Sequence, residues 1–152
     1  MKASAGFAFF LLFLAGFALV NLKNIGEEAE SSIPTVEYLS ATAWRPSHIG
    51  EMTLADDVEL YVQFETDGEL AGFAGCNRFF GSYALSNGTL DIGPLGSTRM
   101  ACPPDVTAFE YSFIDALQSA ATVARAETRI AIRNDQELTT VRFDAIDRKN
   151  SE

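Results

Sequence analysis

The side chains best suited to covalent or metal chemistry are few. Among 152 residues there are two cysteines, Cys76 and Cys102, and one histidine, His48. A Cys–His or Ser–His–Asp hydrolase needs a nucleophile with a base held against it, and a third group to orient the base. His48 sits in RPSHIG, which reads as a solvated loop rather than a positioned base. Tetrahedral metal binding takes more Cys and His than this chain supplies. Asp56-Asp57 and Asp144/Asp147 are carboxylate pairs of the kind used in acid–base work, but they fall where solvated turns are expected. Calcium at Asp56, Asp57 and Glu59 lacks the spacing of a helix–loop–helix calcium site. No GxSxG, phosphate loop, GxGxxG or HExxH occurs. The expectation is a protein without enzymatic activity, with no cofactor and no metal.

Three residues next to the cysteines are candidates for binding instead. Asn77 and Arg78 follow Cys76, and Arg99 precedes Cys102. If the two cysteine segments meet, Arg78 and Arg99 come together and, with Asn77, form a small anion-binding or partner-docking spot. The competing reading makes Asn77 a turn former and pairs each arginine with an acid on a very acidic surface.

These residues must be positioned by a chain that reads mostly as strands. Val58–Glu65, VELYVQFE, alternates with period two and runs into Asp67-Gly68. A two-residue turn there predicts Phe64 opposite Ala71 and Val62 opposite Phe73. Asn87-Gly88, the strongest short hairpin signal, pairs Leu85 with Leu90 and Tyr83 with Ile92. Residues 105–120 change period: Val106, Phe109, Phe113, Ile114, Leu117 and Ala120 share one helical face, behind Pro103-Pro104 and Asp105. Thr122–Glu127, Arg129–Arg133 and Leu138–Phe143 read as later strands. Thr42–Trp44 reads as the first, with Trp44 as a core anchor. The fold class is α+β: an antiparallel, partly open barrel-like sheet of about seven or eight strands. One amphipathic helix, about residues 104–120, packs on it.

The rest of the chain sets the compartment. Sixteen of the first twenty residues are apolar, and residues 3–20 carry no charge after Lys2. This segment, 1–20, reads as a signal peptide, with Gly16-Phe17-Ala18 as a weak cleavage site, or as an uncleaved membrane anchor. Eighteen helical residues span about 27 Å, close to a bilayer core. Either route exports the body to the periplasm or beyond, secreted or tethered to the inner membrane, and the membrane is met only through this segment. Residues 21–38 read as a flexible linker, 39–146 as the domain, and 147–152 as a polar tail. The net charge of −10, from 11 basic and 21 acidic residues, excludes nucleic acid as a partner. In an exported chain, two cysteines are most simply one disulfide, Cys76–Cys102; two buried free thiols, or a catalytic or metal role, are the alternatives.

The stretches GCNRFFGSY and TRMACP, followed by a helix with Phe109-Glu110 near its start, resemble the META domain, the family of the heat-inducible bacterial protein HslJ. The likeness covers roughly Leu39–Phe143, with Trp44 in the family's opening strand. It implies an exported or envelope-attached α+β barrel, associated with stress or secretion and without an established enzyme activity. The functional expectation is an envelope factor that acts by binding another protein. The alternative is a binder of a small apolar or amphipathic ligand in the barrel interior, lined by Phe64, Phe73, Tyr83, Ile92 and Phe109.

Overall fold

A computed structural model describes residues 32–55 and 58–147. The expected signal peptide or anchor, residues 21–31 of the linker, Asp56-Asp57 and most of the polar tail lie outside the described residues. Among the described residues, no helix is long and apolar enough to cross a membrane.

The elements run α1 (Val36–Ser40), β1 (Ala43–Ile49), β2 (Met52–Thr53), β3 (Leu60–Phe64), β4 (Glu69–Ala74), β5 (Arg78–Ser86), β6 (Thr89–Ile92) and β7 (Gly96–Ser97). Then come α2 (Pro104–Gln118), β8 (Thr122–Ala126), β9 (Arg129–Arg133) and β10 (Thr139–Ile146). Eight strands form an antiparallel ring in the order β1, β3, β4, β5, β6, β8, β9, β10, and β10 pairs again with β1. β2 extends the edge beside β1, and β7 pairs with β5. The expected α+β barrel with one main helix is therefore present, and the ring is closed. Its thinnest joint is β6–β8, where Thr89 faces Thr122 and two backbone bonds, Leu90 N–H to Ala121 O and Val123 N–H to Gly88 O, complete the seam.

The Asn87-Gly88 hairpin has the register read from the sequence, Leu85 opposite Leu90 and Tyr83 opposite Ile92. Both turn residues have positive φ, 49° and 82°, as a two-residue turn of this type requires. The first hairpin differs by one residue. Phe64 faces Leu70 and Val62 faces Gly72, not Ala71 and Phe73. Here Gly68 has a positive φ of 87°, and Asp67 is not among the positive-φ residues. The loop is thus three residues, Thr66-Asp67-Gly68, closed by Glu65 N–H to Glu69 O and Gly68 N–H to Glu65 O. Such a loop ends on a left-handed glycine and adds one residue to the turn. The slip turns Leu70, Gly72 and Ala74 inward and puts Phe73 on the outer face.

That inversion makes Gly72 necessary. A Cβ there would run into the Tyr61 carbonyl oxygen and the Phe79 ring. Phe79 is 1% exposed and meets Phe113 of α2 edge to face at 5.8 Å; Phe113 in turn meets Phe143 of β10 at 6.3 Å. α2 therefore reaches strands on opposite sides of the ring with Phe113 and Leu117, both 0% exposed. Trp44, also 0% exposed, donates its indole N–H to Leu39 O at 2.8 Å, so it is the anchor expected.

Three local expectations are corrected. The chain is already docked at Ser32, which exchanges backbone bonds of 2.9 and 2.8 Å with Arg125, so residues 32–38 are not free linker. Thr35 caps α1, buried Pro34 and Leu39 fix its place, and Arg125 lies 4.0 Å over the Tyr38 ring. His48 is not in a loop: β1 continues through it, with a bulge between Pro46 and His48 that re-establishes pairing with Arg142. Asp144 lies on β10, not in a turn, and pairs with Arg129 at 3.3 Å.

Two outcomes follow from this packing. Gly72→Ala is expected to cost about 3 kcal/mol through overpacking, read as a lower urea midpoint at unchanged slope. The second concerns Tyr83, which donates to Glu65 O at 2.7 Å. Burial foremost, then the charges of Glu65, Asp67 and Glu37, raise its phenol above the usual value of 10.0. The folded pKa exceeds the unfolded one, so this stabilisation is complete below about pH 10 and is lost as pH rises through the folded value. Urea midpoints should fall above about pH 10 more steeply in the native chain than in Tyr83→Phe; equal slopes would remove Tyr83 from the alkaline transition.

Candidate functional site

The two cysteine-bearing segments converge on one corner. The β4–β5 connection turns tightly over Gly75, whose φ is 91°, with Ala74 N–H bonded to Asn77 O at 2.9 Å. This turn places Cys76 beside the chain leading into α2. Cys76 and Cys102 form a disulfide, with Cα atoms 6.2 Å apart and a sequence separation of 26. Of the open readings of the cysteines, the disulfide is the one observed. Closing a loop of that length stabilises the folded state by about 3.5 kcal/mol in the chain-entropy picture.

Asn77 sits next to the bridge and is 7% exposed. Its Oδ1 accepts from Thr98 Oγ1 at 2.9 Å and from Met100 N–H at 2.8 Å. Its Nδ2 donates to Glu110 Oε2 at 3.0 Å and approaches Cys102 Sγ at 3.4 Å. Both lone-pair directions and both N–H groups of the amide are used within the fold. Asn77 backbone N–H donates to the same Glu110 oxygen at 3.2 Å. Thr98 ties in the neighbouring strand, accepting from Arg78 N–H at 3.1 Å. Asn77 is therefore a fully engaged latch between the β4–β5 turn, the 98–102 segment and α2, with no group left for a ligand.

Thr98 N–H donates to Arg78 O at 2.9 Å, which brings the residue preceding Arg99 against Arg78. Arg78 is exposed and donates from Nη1 to Tyr61 O–H at 3.2 Å, not to an acid. Arg99 is exposed on the segment after β7. The register explains what surrounds Arg78. Tyr61, Phe73 and Arg78 lie in one cross-strand row on the outer face of β3, β4 and β5. Tyr61 and Phe73 stack at 6.5 Å and 29°. Phe80, two residues along from Arg78 on the same face, is 59% exposed, and Met100 on the latch segment is 65% exposed. Tyr61 itself is buried at 5% exposure, so what this face offers to solvent is half-buried Phe73 and exposed Phe80, flanked by the Arg78 guanidinium.

The functional residue that sequence reading missed is Glu110. It is 6% exposed, a charged-type side chain on the buried face of α2. The signal was available: Glu110 lies four residues after Val106 and three before Phe113, so it interrupts an apolar stripe. Of the residues offered as lining an interior ligand cavity, Phe64, Tyr83 and Ile92 are buried, with Phe64 and Tyr83 in ring contact, Phe109 is half-buried on α2, and Phe73 faces outward.

A disulfide-latched antiparallel barrel, sealed by one helix over an Asn–Glu pair, defines the class of protein. The chain belongs to the META domain family, whose model matches residues 37–146. Solved structures share the fold. A protein from Burkholderia xenovorans determined by NMR is 29% identical, with a TM-score of 0.59 over 74% of this chain and 87% of its own. A crystal structure of a DUF4847 family protein from Bacteroides vulgatus is 15% identical, with a TM-score of 0.55 over 72% of this chain and 96% of its own. No curated protein matches the chain.

Replacing Asn77 by Ala strips partners from buried Glu110 and from the 98–102 segment. Each buried group left unsatisfied costs about 1–3 kcal/mol, so Asn77→Ala should lower stability by roughly 3 kcal/mol or more. Glu110→Gln, which keeps an acceptor, should cost less than Glu110→Ala. Thermal unfolding of the three variants checks the order; equal losses for Gln and Ala would mean that the acceptor is not what matters.

Proposed function

We propose that this is an exported, non-enzymatic domain that works by binding a protein partner in the cell envelope, in a stress- or secretion-associated role. The observation that carries the reading is the outer strip of β3–β5. Aromatic residues and arginine are enriched at protein-binding surfaces; here Phe80 and Arg78 stand exposed, Phe73 is half-buried, and buried Tyr61 supports them from beneath. The strip is held rigid from behind by the Asn77–Glu110 latch, so its shape is set before a partner arrives. Export is supported by a disulfide within the fold, a bond that persists in oxidising compartments. The alternative, a ligand in the barrel interior, is disfavoured because Trp44, Phe64, Phe79, Phe113 and Phe143 fill that space.

The test is chemical crosslinking of the full-length chain in its native envelope, followed by capture and mass spectrometry. The native chain should retain a defined partner that Phe80→Glu and Arg78→Glu lose, with both variants folded by circular dichroism. An unchanged set of captured proteins in both variants would reject the strip as the binding surface.

A further inference from the structure

On the opposite side of the barrel the register builds a different surface. Ala131, in the middle of β9, faces Ala124 on β8 and Arg142 on β10. Arg129 and Arg133 lie two residues to either side of Ala131 on β9, so their side chains project from the same face. Neighbouring strands are about 4.8 Å apart, and alternate residues along a strand about 6.7 Å. Three guanidinium-bearing stems therefore rise around one methyl group, with a second methyl, that of Ala124, on the fourth side. The row continues: Arg142 faces His48 on β1. The bulge at Ser47 sets two residues of β1 against Arg142, and Ser47 Oγ lies 3.3 Å from His48 Nδ1. A groove of about 440 Å³ opens over these residues. Of the seven arginines among the described residues, four line it, in a chain of net charge −10.

We propose that this alanine-floored groove is a binding site for a phosphate monoester, free or as a lipid headgroup. The inference stands apart from the protein-binding strip on β3–β5 and does not depend on it. Guanidiniums gathered on one face repel one another at short range, and a bound anion relieves that repulsion. Asp144 shows what one carboxylate does in this groove: it takes Arg129, at 3.3 Å. Arg133 and Arg142 remain on two sides of Ala131. A phosphate monoester carries nearly two charges and three non-bridging oxygens, enough to accept forks from two arginines and a bond from His48 or Ser47. The small floor matters as much as the rim. With methyl groups at 124 and 131, the guanidiniums have room to fold inward over the ligand.

The test titrates the full-length chain, in detergent micelles, with inorganic phosphate and with glycerol phosphate, by calorimetry. Sedimentation with phosphatidylcholine vesicles, with and without phosphatidic acid, forms a second arm. Saturable binding is expected in at least one arm, at least tenfold weaker in the double variant R133Q/R142Q and in A131E, which places a carboxylate on the floor. Arg133 and Arg142 are exposed, and circular dichroism checks that the variants fold. A control, T66E/Q118E, lowers the net charge by as much as R133Q/R142Q does, at exposed positions outside the groove lining, and should bind as the native chain does. Binding of soluble phosphates assigns a free ligand. Binding confined to phosphatidic acid vesicles, with the same variant dependence, assigns a headgroup. No saturable binding in either arm, equal binding by all variants, or loss in the control as well would overturn the proposal. So would binding of an acidic peptide in place of the phosphates.

Discussion

A carboxylate and a carboxamide meeting beneath the first turns of α2 hold the parts of this domain in register. Glu110 Oε2 receives both the side-chain and backbone N–H of Asn77, at 3.0 and 3.2 Å. Burying an acid is expensive unless donors surround it, and such pairs add specificity more readily than net stability. Here they determine where the helix starts. α2 is reached through the 98–103 segment, and Asn77 Oδ1 holds that segment at Thr98 and Met100. The disulfide fastens the same two stretches covalently. With its first turns fixed, α2 lays Phe113 between Phe79 and Phe143, and the barrel interior closes over them.

How much of this was legible depended on whether a signal was local. The Asn87-Gly88 hairpin was readable because the turn chemistry and the apolar pattern specify the same register. At Asp67-Gly68 they did not compete openly: Ala71 and Phe73 looked as suitable for the core as Leu70 and Ala74. The choice fell to the loop, where one extra residue inverts a whole strand. The pairing of Cys76 with Cys102 could be read once an exported setting was assumed. Asn77 reads from the sequence either as a turn former or as a binding residue, and its partners lie 21 to 33 residues away, where no spacing rule reveals them. His48 and the groove were invisible for a related reason. Four arginines scattered between positions 125 and 142 become neighbours only when β8, β9 and β10 are laid side by side.

The two outer faces of the barrel have different chemistry because the two halves of the chain do. The outer face of β3–β5 carries Phe73 and Phe80 over a buried Tyr61, whereas β8–β10 present alanines and arginines. Inside, both halves contribute the same kind of residue: Val62, Phe64 and Leu70 from one, Val123, Ile132 and Phe143 from the other. The period-two alternation lets one strand satisfy a common core and a private surface at once. Surface identity is thereby free to vary without disturbing the core, which suits a scaffold that carries binding surfaces on its outside.

β1 joins these two faces, and its irregularity is what makes that possible. Proline is poorly tolerated in a central strand because it lacks a ladder donor. β1 pairs with β3 only at Ala43 and Trp44, so by Pro46 no bond to β3 is owed. Along its other edge β1 stays with β10 to the end, closing the ring. Keeping that contact past the proline takes an extra residue, and the bulge at Ser47 supplies it. The residues displaced by the bulge, Ser47 and His48, are the ones delivered to the arginine groove. A regular β1 would close the barrel as well, but it would set one residue against Arg142 where the bulge sets two. The departure from ideal strand geometry therefore lies where a polar site is assembled, while the Trp44 end of the same strand, committed to the core, keeps regular pairing on both sides.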